Sequence, residues 1–259
     1  MEPLPPDADE APPPPPASPK PFGLGAAGLV FLVYLLAQFG GAAVAIIAVM
    51  IAAGGGKETI KEVGEPIAFL CAMIAGGVAV VLVTRSLWAG RAAAEGRRAF
   101  GLVGARRQTV LVALGGGVLL AAALLAFQVL VAPPAPDGDM GELSKMASTP
   151  GLPFVVFVLV AVVLAPPIEE LLFRGVLLHG LSHRLGLVGA AAVTTAVFTL
   201  LHAAEAVHYP WAFVFIGGLG VGTAWLRIAT GSILPAFALH VGYNGALTLV
   251  QAWALTAAP

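Results

Sequence analysis

The 259 residues of the chain are 59% hydrophobic and only 10% charged, and their formal net charge is −1. So apolar a composition is typical of an integral membrane protein and excludes an ordinary soluble domain. The lack of a concentrated basic charge excludes a nucleic-acid partner. The single cysteine, Cys71, cannot form an internal disulfide and lies in an apolar run, as a small hydrophobic residue does.

The first 22 residues are acidic and rich in proline, with consecutive prolines at positions 12–16. This composition predicts a disordered or polyproline tail over residues 1–22. The stretch has neither the positively charged start nor the small-residue cleavage site of a signal peptide. We therefore expect the first apolar segment to be retained as a membrane anchor.

Seven apolar segments approach or exceed the roughly 20 residues that a helix needs to cross the hydrocarbon core of a bilayer. They cover residues 24–53, 66–84, 110–132, 153–181, 187–206, 211–227 and 232–256. The sequence thus predicts an all-α, polytopic membrane helix bundle. After the tail we expect one group of membrane helices at residues 23–132 and a second, which contains the polar motifs, at residues 133–259.

Lysine and arginine accumulate in the cytoplasmic loops of membrane proteins. With the amino terminus inside, nine basic residues fall on the cytoplasmic side and only Lys57, Lys61 and Lys145 fall outside. This bias predicts a cytoplasmic amino terminus. Six of the nine lie in the link at residues 85–108, which is explained as a cytoplasmic loop or, alternatively, as an interfacial helix. The Ala-, Gly- and Pro-rich composition indicates a bacterial protein, hence a location in the cytoplasmic membrane.

The fourth apolar segment contains three charged residues, Glu169, Glu170 and Arg174. A charged side chain at the centre of a membrane helix costs roughly 3 kcal/mol on insertion scales, so each of them needs a reason. Glu170 and Arg174 are spaced i, i+4 with the glutamate first, which is the favourable order for an ion pair. Glu169 is rotated by about 100° from Glu170, so it has no partner in its own helix and is suited to take up and return protons.

Two later helices carry residue pairs at the same spacing, Phe198 with His202 and His240 with Asn244. If residues 182–186 form a turn, Glu169 and His202 each lie about 16 residues from its middle, or roughly 24 Å at 1.5 Å per residue. The hairpin brings both to one depth. His240 lies roughly 14 Å from the turn near Gly231, so helix tilt must bring it to the same level.

Local backbone features are also predicted near these motifs. Pro166 and Pro167 remove N–H donors and should bend the fourth helix beside the carboxylates. The glycines at 115–117 and the pair Gly218-x-x-x-Gly222 should allow neighbouring helix backbones to approach closely.

A carboxylate, two imidazoles and an amide around one point favour hydrolysis, in which Glu169 takes a proton from water and the other groups hold an oxyanion. The chain has no Gly-x-Ser-x-Gly elbow and no cysteine at this depth, so water is the predicted nucleophile. Glu169, His202 and His240 are also a two-histidine, one-carboxylate set for zinc, although the His-Glu-x-x-His signature is absent. The preferred prediction is a metal-free glutamate mechanism without a cofactor, and zinc is the alternative.

Three motifs in a fixed order resemble those of the CAAX prenyl endopeptidase type II family and its bacteriocin-processing and Abi-like relatives, together called CPBP intramembrane proteases. They are Glu169-Glu170-x-x-x-Arg174 with Phe173-Arg-Gly175, then Phe198-x-x-x-His202, then His240-x-x-x-Asn244. The resemblance implies a helical endopeptidase whose catalytic core is the region at residues 133–259. The family is often described with eight spans, one more than the seven predicted here.

The resemblance also implies roles for the motif residues. Glu169 would be the base that activates water, with His202 as its partner. His240 and Asn244 would stabilise the oxyanion, while Glu170, Arg174 and Phe198 would support the site. The implied substrate is a membrane-associated protein or peptide in contact with the lipid bilayer.

Two other classes of function compete with this prediction. A proton-coupled transporter also uses buried carboxylates and histidines as a proton relay, although no repeated half is evident in the sequence. A non-catalytic membrane scaffold or immunity protein could keep the same residues as a structural cluster of charges.

Overall fold

The computed structural model of the protein describes residues 22–53, 56–89, 92–131, 141–204 and 209–257. The predicted tail lies outside these ranges except for Phe22. That residue is buried and its ring contacts the rings of Trp88 and Phe100, at 5.9 and 5.1 Å, so it belongs to the packed core.

The described ranges fold into helices and contain no strand, which confirms the all-α prediction. In chain order the helices are α1 (Leu24–Ala53), α2 (Lys57–Leu87), α3 (Ala93–Ala99), α4 (Arg107–Leu130), α5 (Glu142–Ser148), α6 (Leu152–Leu201), α7 (Ala212–Thr230) and α8 (Leu234–Ala257). Within these ranges α1, α2, α4, α6 and α7 are long and apolar enough to cross a membrane. Helix α8 is as long as α4, but its polar residues leave it outside that group. The protein is therefore a polytopic bundle of membrane helices.

Helix α6 is a hairpin rather than one straight rod. Gly186 interrupts it with φ 67° and ψ 172°, a conformation that is essentially restricted to glycine. On either side of Gly186 the rings of Phe173 and Phe198 meet edge to face at 5.2 Å, so the chain reverses here. We call residues 152–185 the amino-terminal arm and residues 187–201 the carboxyl-terminal arm. The turn predicted at residues 182–186 is thus present.

The amino-terminal arm is widened on both sides of the proline pair. Leu159–Leu164 and Glu170–Leu177 form π-helical turns, and the short α-helical segment Ala165–Glu169 between them contains Pro166 and Pro167. Because proline has no N–H, the carbonyls before the pair lose their usual partners, and a wider turn is one way to redistribute the remaining donors. The predicted disturbance therefore takes the form of π-helical turns beside the carboxylates.

Helices α4 and α8 pack with their backbones in close contact. A Cβ added at Gly117 would collide with the carbonyl oxygen of Leu239, and one added at Gly242 would collide with that of Leu114. The close approach predicted at residues 115–117 is thus confined to Gly117.

The Gly218-x-x-x-Gly222 prediction is wrong. Added Cβ atoms at Gly218 and Gly222 would meet only leucine side chains, at the ordinary distances of 3.7 and 3.6 Å. No backbone lies near enough for these two glycines to be required by helix contact.

One end of the bundle, which we call the hairpin end, contains Gly186. Here Arg227 at the end of α7 donates from Nε to the Arg174 carbonyl and from Nη2 to the Ala99 carbonyl, both at 3.1 Å. Ser232 donates to the Val103 carbonyl at 2.7 Å. These bonds fix the α3–α4 link under the turn between α7 and α8.

The opposite end, which we call the α5 end, contains the short helix α5. Met146 of α5 packs with Met73 of α2 and with Val156 and Val160 at the start of α6. Gln251 of α8 donates to Ser148 at 3.2 Å. Helix α5 therefore packs near the middle of α2, the start of α6 and the last part of α8.

We expect Gly117→Ala to lower the free energy of unfolding by about 1–3 kcal/mol, because the new methyl group must push α4 away from the Leu239 carbonyl. Gly116→Ala is the matched control, since an added Cβ there meets nothing within 4 Å. Thermal unfolding of both variants in detergent measures the difference. Equal midpoints for the two variants would contradict the packing of α4 on α8.

Candidate active site

A cavity of about 740 Å³ lies between the long helices, with α5 at its edge. Most of its wall is apolar, but Glu169, His202, His240 and Asn244 all line it. Glu169 comes from the amino-terminal arm of α6, His202 follows directly after the carboxyl-terminal arm, and the other two come from α8. The four residues that the sequence predicted to share one depth therefore share one cavity.

Behind the cavity wall lies a fully buried charge pair. Arg174 Nε is 3.5 Å from Glu170 Oε2, and both side chains have no solvent exposure. This contact is electrostatic, because Glu170 Oε2 and Arg174 Nε make no hydrogen bond. Arg174 Nη2 donates to the Gly220 carbonyl of α7 at 2.9 Å, and its guanidinium lies 4.7 Å from the centre of the Phe198 ring. The predicted ion pair is thus present and is supported by two other helical segments.

His240 joins the two carboxylates. Its Nδ1 lies 2.9 Å from Glu170 Oε1, and its Nε2 lies 3.8 Å from Glu169 Oε2. Since an ionised carboxylate only accepts hydrogen bonds, Nδ1 carries the proton in this arrangement. The bond to Glu170 fixes the ring so that Nε2 points toward Glu169.

Glu169 is buried like its neighbour but differs in what it faces. Its side chain lines the cavity, and its ion-pair contact among the described residues is the one with His240. A separation of 3.8 Å exceeds hydrogen-bonding distance. The carboxylate of Glu169 therefore faces the cavity and makes no direct hydrogen bond to His240.

His202 follows directly after the carboxyl-terminal arm of α6. Its Nδ1 is 2.8 Å from the Phe198 carbonyl oxygen, which can only accept, so Nδ1 donates and Nε2 keeps its lone pair. The sequence predicted His202 as the partner of Glu169. The structure places both on the cavity wall, but His240 is the histidine within ion-pair distance of that carboxylate.

The Phe198 ring separates these groups from one another. It lies 4.9 Å from the His202 ring and 6.1 Å from the His240 ring, with Arg174 over one face. Its position, one turn before His202, sets the spacing of the two imidazoles.

Asn244 supplies a hydrogen bond to a backbone carbonyl that the prolines leave without its usual helical donor. Its Nδ2 donates to the Ala161 carbonyl at 2.7 Å. In this π-helical turn Val160 accepts from the N–H of Ala165, so the equivalent donor for Ala161 would be Pro166, which has none. Asn244 therefore ties α8 to the widened part of α6, and its second amide hydrogen remains for another acceptor.

The described residues include no group of three or more His, Cys, Asp or Glu side chains arranged to hold a metal ion. The alternative zinc set of Glu169, His202 and His240 does not form such a group in this geometry. His240 Nδ1 is bonded to Glu170, so Nε2 is the ring nitrogen that faces Glu169. The metal-free glutamate mechanism remains the preferred prediction, and zinc remains the alternative.

Helix α1 contributes a polar pair that the sequence analysis missed. Gln38 donates to the Tyr34 hydroxyl at 2.9 Å, and both residues line the same cavity as Glu169. Gly76 of α2 makes room for them, since an added Cβ would lie 2.8 Å from Gln38 Cγ and 2.9 Å from the Tyr34 ring. Their i, i+4 spacing in an apolar helix, the same as in the other motifs, was the available signal.

The family model described as "Type II CAAX prenyl endopeptidase Rce1-like" matches residues 151–246. This range contains every motif residue predicted from the sequence, whereas α1 to α5 lie outside it. Comparisons with the curated proteins and with the solved structures found no significant match. The family match supports an intramembrane endopeptidase of the CAAX type in general, and hence a hydrolase acting on a membrane-associated peptide. The helical core over residues 151–246, built around these carboxylates and histidines, is thus similar to a type II CAAX prenyl endopeptidase Rce1-like domain.

Proposed function

We propose that the protein is an intramembrane endopeptidase in which Glu169 activates water to hydrolyse a peptide bond of a membrane-associated protein or peptide. The processing is of the CAAX type or the bacteriocin type. The observation that carries this proposal is the contact of Glu169 with His240 at a cavity wall, with Glu170 and Arg174 buried behind them.

The first step uses the open side of the Glu169 carboxylate. A water molecule beside it gives a proton to Glu169 while its oxygen attacks the carbonyl carbon of the substrate. The lone pair on His202 Nε2 accepts a hydrogen bond from the water's other O–H, whose hydrogen stays on the attacking oxygen, and so orients the attack. The result is a tetrahedral intermediate with a negative charge on the former carbonyl oxygen.

His240 and Asn244 stabilise that oxyanion. His240 can donate to it from Nε2 as an imidazolium, which keeps a proton on each ring nitrogen throughout the reaction, and Glu170 at 2.9 Å from Nδ1 stabilises the positive charge on the ring. The free amide hydrogen of Asn244 is the second donor. Arg174 lies against the Glu170 carboxylate and balances its negative charge.

In the last step the proton on Glu169 passes to the leaving nitrogen, and the carbon–nitrogen bond breaks. Glu169 thus returns to its starting state, and the products are a carboxylic acid and an amine. The apolar wall of the cavity binds the apolar part of the substrate and excludes bulk water, which strengthens each of these electrostatic contacts. Cys71 lies in a separate apolar groove between α1 and α2, so it takes no part.

Glu169→Gln should reduce cleavage of a membrane-anchored peptide by on the order of 10²- to 10⁴-fold, because the amide cannot accept the proton of water. Helical content and thermal stability in detergent should stay close to those of the wild type. Glu95→Gln, an exposed carboxylate in α3, is the control and should be fully active. A Glu169→Gln protein with wild-type activity would exclude the glutamate mechanism.

His202→Ala and His240→Ala should each remove most of the activity, measured as kcat/KM with the same peptide. His240→Ala should also lower thermal stability, since it leaves Glu170 Oε1 buried without its hydrogen bond. His183→Ala is the matched control because that imidazole is exposed near the hairpin turn. Equal loss of activity in the control and in the two cavity variants would show that the effect is not specific to the site.

Chelation of metal should leave the cleavage rate unchanged, because the proposed steps use only side chains of this chain. The purified protein is dialysed against a strong zinc chelator and assayed with the same peptide. Loss of activity that added zinc restores would overturn the metal-free mechanism while leaving the endopeptidase assignment intact.

A further inference from the structure

The cavity extends from the candidate active site toward one end of the bundle only. At the level of Glu169 it is lined by Tyr34, Phe173 and His240, and from there its lining continues to Gln128 and Ser144 at the α5 end. Polar side chains thus follow the path from the α5 end inward. Helix α5 borders this path, since Leu143, Ser144 and Ala147 line the cavity.

Toward the hairpin end the interior is filled. One turn beyond the cavity-lining residues on α1, on both arms of α6 and on α8 lie side chains with at most 1% exposure. They are Val30, Val176, Thr194 and Ala236. The cavity that contains Glu169 has no lining residue in this layer or beyond it toward the hairpin end. From Glu169 this cavity therefore extends toward the α5 end.

The two ends also differ in charge. Among the described residues the hairpin end carries seven arginines and one glutamate, and the α5 end carries three lysines and four glutamates. The arginines are Arg85, Arg97, Arg98, Arg106, Arg107, Arg184 and Arg227, with Glu95, and the α5 end has Lys57, Lys61 and Lys145 with Glu58, Glu62, Glu65 and Glu142. Short loops that are rich in lysine and arginine stay on the cytoplasmic side during membrane insertion.

We infer that the active site opens to the non-cytoplasmic side of the membrane and that its substrate is a peptide segment exposed on that side. This inference rests on the proposed endopeptidase function. It follows from two independent observations, the closure of the cavity toward the arginine-rich end and the charge bias between the two ends. The substrate class is thus a membrane-anchored peptide whose cleavable segment has been exported.

The orientation is tested by labelling single cysteines with a membrane-impermeant maleimide. In a Cys71→Ala background, Ser144→Cys places a thiol at an exposed, cavity-lining position at the α5 end, and Ala94→Cys places one at an exposed position in α3. In right-side-out vesicles Ser144→Cys should be labelled and Ala94→Cys should not, and inverted vesicles should show the reverse. Labelling of Ser144→Cys in inverted vesicles alone would overturn the inference.

The side of cleavage is tested with two reporter peptides that share one membrane anchor and one cleavable segment but present that segment on opposite sides. Co-expressed wild type should cut the reporter with the exported segment and leave the other intact. Glu169→Gln should cut neither. Cleavage of only the cytoplasmic reporter would overturn the inference and uphold the endopeptidase. If neither reporter is cut, the proposed function fails, and the maleimide labelling still decides the orientation.

Discussion

The buried contact among Glu170, Arg174 and His240 is the constraint on which the site depends. Removing charged groups from water costs several kcal/mol for each ion, so such a cluster persists only when many partners compensate for it. Here the partners come from different helices: Gly220 of α7 accepts from Arg174, and the Phe198 ring of α6 lies under the guanidinium. His240 of α8 bonds to Oε1, the other oxygen of the Glu170 carboxylate. Satisfying one pair of charges therefore holds α6, α7 and α8 together, and the same bonds aim the imidazole at Glu169.

A second constraint comes from the backbone. Pro166 and Pro167 lie just before the two glutamates, and the π-helical turns around them widen α6 where the cavity reaches it. The widened helix leaves the Ala161 carbonyl without a donor from its own chain segment, and Asn244 supplies one. Asn244 thus serves the fold and faces the cavity at once. This double role explains physically why an amide, with two hydrogens on one nitrogen, suits the position: one hydrogen bonds the backbone and one stays available.

Much of this arrangement could be predicted from the sequence because it depends on helical spacing. The i, i+4 rule gives the Glu170–Arg174 pair directly, and the nearly equal distances of Glu169 and His202 from Gly186 give their common depth. The partner of Glu169 could not be predicted in this way. That partner depends on the position of α8 beside α6. The position is set in part by Gly117 and Gly242, which allow α8 to approach α4 closely. Distances along a helix contain no information about such lateral packing. The contribution of Tyr34 was missed for a different reason, because α1 has no charged residue that would mark it as part of a site.

The central claim is that the buried pair positions His240 for catalysis at Glu169, and Glu170→Gln tests it most directly because the substitution keeps the size of the side chain and removes its charge. The measurement is the rate at which this variant, purified and still helical, cleaves a membrane-anchored peptide in detergent. The account predicts a large loss of activity although Glu169, His202 and Asn244 are unchanged. A Glu170→Gln protein that cleaves at the wild-type rate would contradict it.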